Sequence, residues 1–354
     1  MKKALAFTLV TALLLTAAAC GQAIAADKVY TIRFSSPYGI GTMLFDTVEW
    51  WAEQLKTRSN GRLVVEHYPG SQLLPTDQQY SAMYDGRIQA SYANISSKVA
   101  LEPLMSVLQL PFLNNDGTMF DPNKGNFKYL ENTMAFTSDP VYVDIAEGAM
   151  KKRGIISWIT WVEGPRYLAT SKKPINHLSD LVGMKIRITG GKWNEAACRA
   201  LGFSAVAIPT AEVSTALAQG TVDGALLSTI NSFEAKYPFS YFNTFPADSN
   251  PFETFDMSLE FLESLPADLQ KIIYETGTDL TAMTRDTLKA RLLVAFDNLR
   301  SVGVTIIEPS KEELTKARDA VIPVWQQFAD EGKDHKALVK KYLEITYGPN
   351  NFIK

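Results

Sequence analysis

Strand-like and helix-like runs alternate in both halves of this chain, and that alternation restricts it to layered α/β architectures. Val29–Ser35 reads as a strand, and Thr42 then precedes a helical pattern with Leu44, Val48, Trp51, Ala52 and Leu55 on one face. Asn60-Gly61 stops that helix, and Arg62–Tyr68 alternates as a second strand. A helix at about Thr76–Gly86 and a strand at Gln89–Asn94 follow. The second half repeats the theme. Gly183–Thr189 reads as a strand, Trp193–Leu201 as a helix closed by Gly202, and Ser204–Ile208 as a strand. Thr210 is expected to cap a helix reaching Gln219, before a strand at Val222–Leu226. The pattern predicts mostly parallel sheets covered on both faces.

The last third differs. Pro266 to about Leu299 forms helix almost without interruption, Gly277 being its weak point, and Ser310 starts another helix with Glu313 completing a capping box. At 1.5 Å per residue the long helix would span about 50 Å, more than one lobe, so it is expected to brace two. The roughly 330 residues that follow the leader suit two lobes better than a single core. No repeat or Pro/Gly/Ser linker marks independent domains.

The first residues carry an export signal. Lys2 and Lys3 precede an apolar run from Ala4 through Leu15, and a small-residue stretch ends in Ala23-Ile24-Ala25, so residues 1–25 read as a signal peptide. The alternative is acylation at Cys20, giving a lipid anchor; the downstream A-x-A site is the cleaner one. The run is too short to span a membrane. Without Cys20 only Cys198 remains, which rules out an intramolecular disulfide and reads as a small buried hydrophobe. Dropping Lys2 and Lys3 leaves 33 basic residues against 38 acidic ones, a net charge of −5 with no polybasic block, which disfavours nucleic acid as a partner.

Enzyme motifs are missing. There is no G-x-S-x-G, H-E-x-x-H or C-x-x-C, and His67, His177 and His335 lie far apart in unlike settings. No catalytic residue, cofactor or metal site is predicted. Gly39-Ile40-Gly41 follows a strand, but Leu44 stands where a dinucleotide fingerprint needs its third glycine. Two arginines stand apart. Arg187 sits near the carboxyl end of a predicted strand, where α/β sheets open onto a ligand crevice, and a guanidinium there can grip a carboxylate by two parallel bonds. Gly190-Gly191 after it could offer backbone N–H groups to an anion. The competing readings for Arg187 are a surface ion pair and a strand arginine stacked over its neighbours. Arg166 follows Glu163-Gly164-Pro165, where a turn pairing with Glu163 is the simpler reading.

At this point the chain resembles the solute-binding proteins of tripartite ATP-independent periplasmic (TRAP) transporters, the C4-dicarboxylate-binding type. The resemblance covers nearly the whole chain after the leader. It runs through Ile32-Arg33-Phe34, Tyr68-Pro69-Gly70-Ser71-Gln72-Leu73, Asp85-Gly86 and Leu110-Pro111-Phe112-Leu113. Its strongest portion is Leu178-Ser179-Asp180-Leu181-Val182-Gly183-Met184-Lys185-Ile186-Arg187, followed by Ala200-Leu201-Gly202, Gln219-Gly220 and Val222-Asp223-Gly224. It implies a two-lobed periplasmic binding protein fold with a ligand cleft. Lobe I is expected to comprise 26–163 plus about 252–291, and lobe II 164–251 plus about 292–354.

The family's strand-borne arginine falls on Arg187, with Arg166 as its assistant. The pattern departs elsewhere: Leu227 replaces an asparagine that often bonds the ligand, two aromatics are lost at Thr210 and Ser214, and Gln89 stands where an acidic residue is common. Tyr38, Asn94, Trp193, Leu227 and Ser228 are the remaining candidates for the ligand wall, with ordinary packing as the competing role for Tyr38 and Trp193. The implied function is non-enzymatic: capture of a small carboxylate in the periplasm and delivery to the membrane subunits of a TRAP transporter. A ligand sensor and a secreted enzyme using cleft carboxylates are the alternatives.

Overall fold

Thr42 caps the first helix as the sequence predicts. Its hydroxyl accepts from the Phe45 amide at 3.2 Å, and α1 (Met43–Arg58) turns Leu44, Val48, Trp51 and Leu55 inward. The structure is a computed structural model that describes residues 28–93, 95–115, 127–246, 250 and 252–353. The signal peptide, Cys20 and Asn94 lie outside the described residues. Among the described residues no helix is long and apolar enough to cross a membrane.

Two mixed sheets organise the chain. The first combines β1 (Tyr30–Ser35), β2 (Leu63–Tyr68), β3 (Ala90–Ala93), β4 (Ile155–Thr160) and β10 (Glu253–Ser258) in the order β2-β1-β3-β10-β4. The second combines β5 (Arg166–Thr170), β6 (Lys185–Ile188), β7 (Ser204–Ala207), β8 (Gly224–Ser228), β9 (Tyr241–Asn243) and β11 (Thr305–Ile307) in the order β11-β9-β5-β8-β6-β7. The expectation of mostly parallel sheets needs correction. β10 runs antiparallel to both β3 and β4, and β5 antiparallel to both β8 and β9. These strands enter their sheets from the other lobe across crossings, not through strand–helix–strand units.

Two further local expectations change. The segment after β7 opens with a short 3-10 turn, Thr210–Glu212, before the helix Val213–Gln219, and the Thr210 hydroxyl caps neither. It accepts a bond from Arg187 instead. Ser310 does cap the helix Lys311–Ala329, accepting from the Glu313 amide at 3.2 Å, but the Glu313 carboxylate reaches the Leu178 amide at 2.8 Å, so the capping box is half formed. A tertiary partner outcompetes the local one.

The long helix is confirmed as Ala267–Ser301, 35 residues. Its inward face belongs to two cores: Leu269, Ile273 and Leu280 pack with α1 and the first sheet, whereas Leu288, Leu292, Phe296 and Leu299 join the core of the second. Gly277 lies where it presses on Trp158 of β4; a Cβ there would sit 2.4 Å from the indole. Farther along, the Thr284 hydroxyl accepts the Trp161 amide at 3.1 Å, tying the helix to the crossing that leaves β4. After β11 the chain returns: Lys311–Ala329 packs on the helix Lys192–Ala200, and Lys333–Tyr347 on the helix Lys128–Thr137, where Phe136 and Tyr342 stack at 3.9 Å.

One polar group is buried deep in the first sheet. Lys98 donates to Asp256 of β10 at 3.0 Å and to Ser157 of β4 at 2.9 Å, while the Tyr80 hydroxyl donates to the other Asp256 oxygen at 2.7 Å. A paired and hydrogen-bonded charge is tolerated there; an unpaired one would not be.

Candidate ligand cavity between the sheets

Arg187 projects from β6, whose backbone pairs with β7 and β8, and its side chain is 3% exposed. Its Nε donates to the Ile208 carbonyl at 2.9 Å and its Nη2 to the Thr210 hydroxyl at 3.2 Å. Both acceptors are neutral, and the guanidinium makes no ion pair with any described residue. Burial, with Arg166 adding repulsion, pulls its pKa down to about 10, still cationic at neutral pH. The surface ion pair weighed from the sequence is therefore absent. A fork of N–H groups remains open towards a cavity.

The cavity is lined by Tyr38, Glu163, Arg166, Arg187, Thr189, Thr210, Leu226, Leu227, Ser228, Asn231, Tyr237 and Glu253. Its volume is about 30 Å3, room for roughly two waters, so these walls are nearly in contact. Thr189 and Thr210 also border a groove of about 860 Å3 whose other wall is the Thr76–Ser81 stretch and Leu101, so the cavity lies behind an open cleft between the sheets.

Arg166 opens β5 and faces two carboxylates. Its Nε and Nη2 donate to Glu163 Oε2 at 2.9 and 2.6 Å, and Nη2 donates to Glu253 Oε1 at 2.7 Å. All three side chains are buried. The pairing with Glu163 is the one the turn suggested; Glu253, the first residue of β10, is added from 87 residues away. The Tyr38 hydroxyl bonds to Glu253, and burial first, then the glutamates, pushes that phenol well up. Burial and the Glu163 carboxylate also raise the Glu253 pKa well above the usual carboxylate range, against the pull of Arg166. Gly164 turns between Glu163 and Arg166 with φ +70°, and a Cβ there would meet Leu292 of the long helix at 2.5 Å, which fits glycine to this crossing.

Of the residues singled out from the sequence, the fold brings Arg187, Arg166, Tyr38, Leu227 and Ser228 to this one cavity. Ser228 is also committed to capping, its Oγ accepting from the Asn231 amide at 3.2 Å. Trp193 goes elsewhere: its ring meets Phe328 edge-on at 5.5 Å under the Lys192 ammonium. The Gly190-Gly191 turn does not line the cavity either. The Gly190 carbonyl accepts from Ser96 at 3.1 Å and Gln109 at 3.0 Å, so it joins the two sides of the cleft through an acceptor.

Glu163, Thr189, Thr210, Leu226, Asn231, Tyr237 and Glu253 went unpredicted as wall residues. Asn231 supplies a carboxamide four positions beyond Leu227, from the helix Thr229–Glu234, and bonds the Tyr237 hydroxyl. The polar residues directly after β8 were a usable signal for it. Among the described residues no group of three or more His, Cys, Asp or Glu side chains is placed to hold a metal ion.

The model of the family described as "Bacterial extracellular solute-binding protein, family 7" matches residues 34–331. A solute-binding protein of Albidiferax ferrireducens is 24% identical over 285 residues, 79% of this chain and 77% of its own. The sugar acid binding protein of Advenella mimigardefordensis, solved with galactonate, superposes with a TM-score of 0.78 at 21% identity over 90% of this chain and 99% of its own. A TRAP periplasmic solute binding protein of Sulfurospirillum deleyianum, solved with succinate, gives 0.76 at 22% identity over 90% and 99%.

Proposed function

This chain belongs to family 7 of the bacterial extracellular solute-binding proteins, and from that membership we propose that it captures a small organic acid, carboxylate first, at Arg187. One observation carries the reading: a buried guanidinium whose only hydrogen-bond partners among the described residues are a carbonyl and a hydroxyl. A cation held dry without a counter-ion is costly, and a ligand carboxylate removes that cost through two charge-assisted bonds. The ligands of the two structural relatives, galactonate and succinate, share a carboxylate and little else.

The mechanism is capture by closure. The acid enters the open groove and passes Thr189 and Thr210; its carboxylate meets Arg187, and the lobes close over its body. The lobes are 26–163 with about 252–291, and 164–251 with about 292–354. Arg166 supports the anchor from beside it, and Tyr38, Leu227 and Ser228 contribute to the wall, with Asn231 and Tyr237 added. The closed form then docks on the membrane subunits of a TRAP transporter. The protein works in the periplasm after removal of residues 1–25. It performs no chemistry on its ligand, so the solute is recoverable intact.

Thermal unfolding of the ligand-free mature protein against small organic acids and matched neutral analogues tests this. An acid at a hundred times its Kd stabilises by about 2.7 kcal/mol. Arg187→Ala should remove about 2–5 kcal/mol of binding free energy. Equal shifts from neutral analogues, or an Arg187→Ala variant that binds within a few-fold of wild type, would sink the reading.

A further inference from the structure

The charges that line the cavity are unequally engaged. Two guanidinium groups and two carboxyl groups face it, from Arg166, Arg187, Glu163 and Glu253. Arg166 is held by both glutamates through contacts of 2.6 to 2.9 Å, so its donors are directed at the protein's own carboxyl groups. Among the described residues Arg187 alone faces the cavity as a cation without an ion-pair partner. Arg187 can thus pair directly with one ligand carboxylate. A second carboxylate on the same ligand would meet the Glu163–Glu253 side, where the acceptor oxygens of two carboxyl groups repel it, or neutral side chains such as Leu226, Leu227, Asn231 and Tyr237, none of which brings a cation to balance it.

Glu253 comes from the opposite sheet to Arg187, at the first residue of β10, 2% exposed, with Tyr38 bonded to it. A carboxyl group so placed offers acceptor oxygens to whatever the ligand presents away from its carboxylate. A hydroxyl suits it.

We propose, resting on the reading of Arg187 given above, that this site selects monocarboxylates bearing a hydroxyl remote from the carboxylate and rejects the matching dicarboxylates, with Glu253 as the residue that sets this preference. The raised proton affinity of Glu253, caused by burial and the Glu163 carboxylate, agrees with it, because this wall already disfavours negative charge before a ligand adds more.

The test is calorimetric titration of the mature protein, stripped of solute by unfolding and refolding, with pairs differing only in one terminus. Suitable pairs are 4-hydroxybutanoate and succinate, 5-hydroxypentanoate and glutarate, and galactonate and galactarate; 4-aminobutanoate is the ammonium control. Binding of the hydroxy acid roughly ten-fold or more tighter than its dicarboxylate, in whichever pair binds, is the expected result. Glu253→Gln should shrink that preference to about three-fold or less, and Arg187→Ala should abolish binding of both members. Wild-type protein that takes a dicarboxylate as well as its hydroxy partner, with Arg187→Ala still abolishing binding, overturns this inference and leaves the Arg187 anchor standing. Tighter binding of 4-aminobutanoate than of 4-hydroxybutanoate overturns the hydroxyl as the recognised donor. A preference unchanged in Glu253→Gln removes Glu253 from the role. Failure of every acid, or indifference to Arg187→Ala, overturns the anchor and this inference together. If the Glu253→Gln chain does not unfold cooperatively, the wild-type comparison across the pairs still decides the ligand class.

Discussion

Gly277→Ala sets two well-known effects against each other. In an exposed helix the change stabilises by about 1 kcal/mol, because alanine loses less conformational freedom on folding. Here the added Cβ would lie 2.4 Å from Cε2 and Nε1 and 2.6 Å from Cδ1 of Trp158, where carbon contacts need about 3.5–4.0 Å. The ring cannot simply step aside. It belongs to the core beneath the long helix, 9% exposed, with Tyr274 of that helix edge-on at 6.0 Å. Overpacking of this kind costs about 1–3 kcal/mol, and an overlap above 1 Å belongs at the upper end. The expected balance is a loss of about 1–2 kcal/mol. Urea unfolding followed by far-UV circular dichroism would read it, and Trp158→Leu supplies the control. In that background the methyl has room, so Gly277→Ala should become neutral or stabilising, a coupling of about 2 kcal/mol. A Gly277→Ala single variant more stable than wild type by about 1 kcal/mol would refute the packing argument and leave helix propensity as the whole effect.

Lys98→Met leaves Asp256 charged and buried without its cation, and should cost about 3–5 kcal/mol in the same unfolding assay. The pH dependence of stability should carry the mark of Glu253. Burial and the Glu163 carboxylate push its folded pKa up to about 8, so between about pH 4 and about pH 8 the folded state holds a proton the unfolded state has released. Stability therefore falls as pH rises through that window, and Glu253→Gln should flatten the profile of melting temperature against pH from 5 upward. An unchanged slope in the variant would mean that Arg166 keeps Glu253 ionised.

The elements that were legible in the sequence are those whose signals are local. The Thr42 cap, the inward stripe of α1 and the 35-residue helix follow from spacing alone. Arg187 was legible because the carboxyl end of a strand is a place with a meaning, and Glu163–Arg166 because the two are three residues apart. What could not be read was long-range. β10 is buried at all six positions yet contains Glu253 and Asp256, so it shows neither the alternation of a half-buried strand nor the apolar run of a central one. The partners that make those charges tolerable, Arg166 and Lys98, lie 87 and 158 residues away. Thr210 and Glu313 failed for the related reason that a distant group claimed side chains that local rules assign to caps.

The place of β10 also bears on the order in which the molecule can be assembled. β3 and β4 have β10 as their shared neighbour, so the first sheet stays in two pieces until Glu253–Ser258 arrives. Leu269, Ile273 and Leu280, which cover that sheet, come later still. A ribosome has therefore released every strand of the second sheet except β11 before the sheet that began the chain can close. The earliest residues wait longest for their partners, so the pairing that completes the first sheet is long-range in sequence and belongs to a late stage of folding.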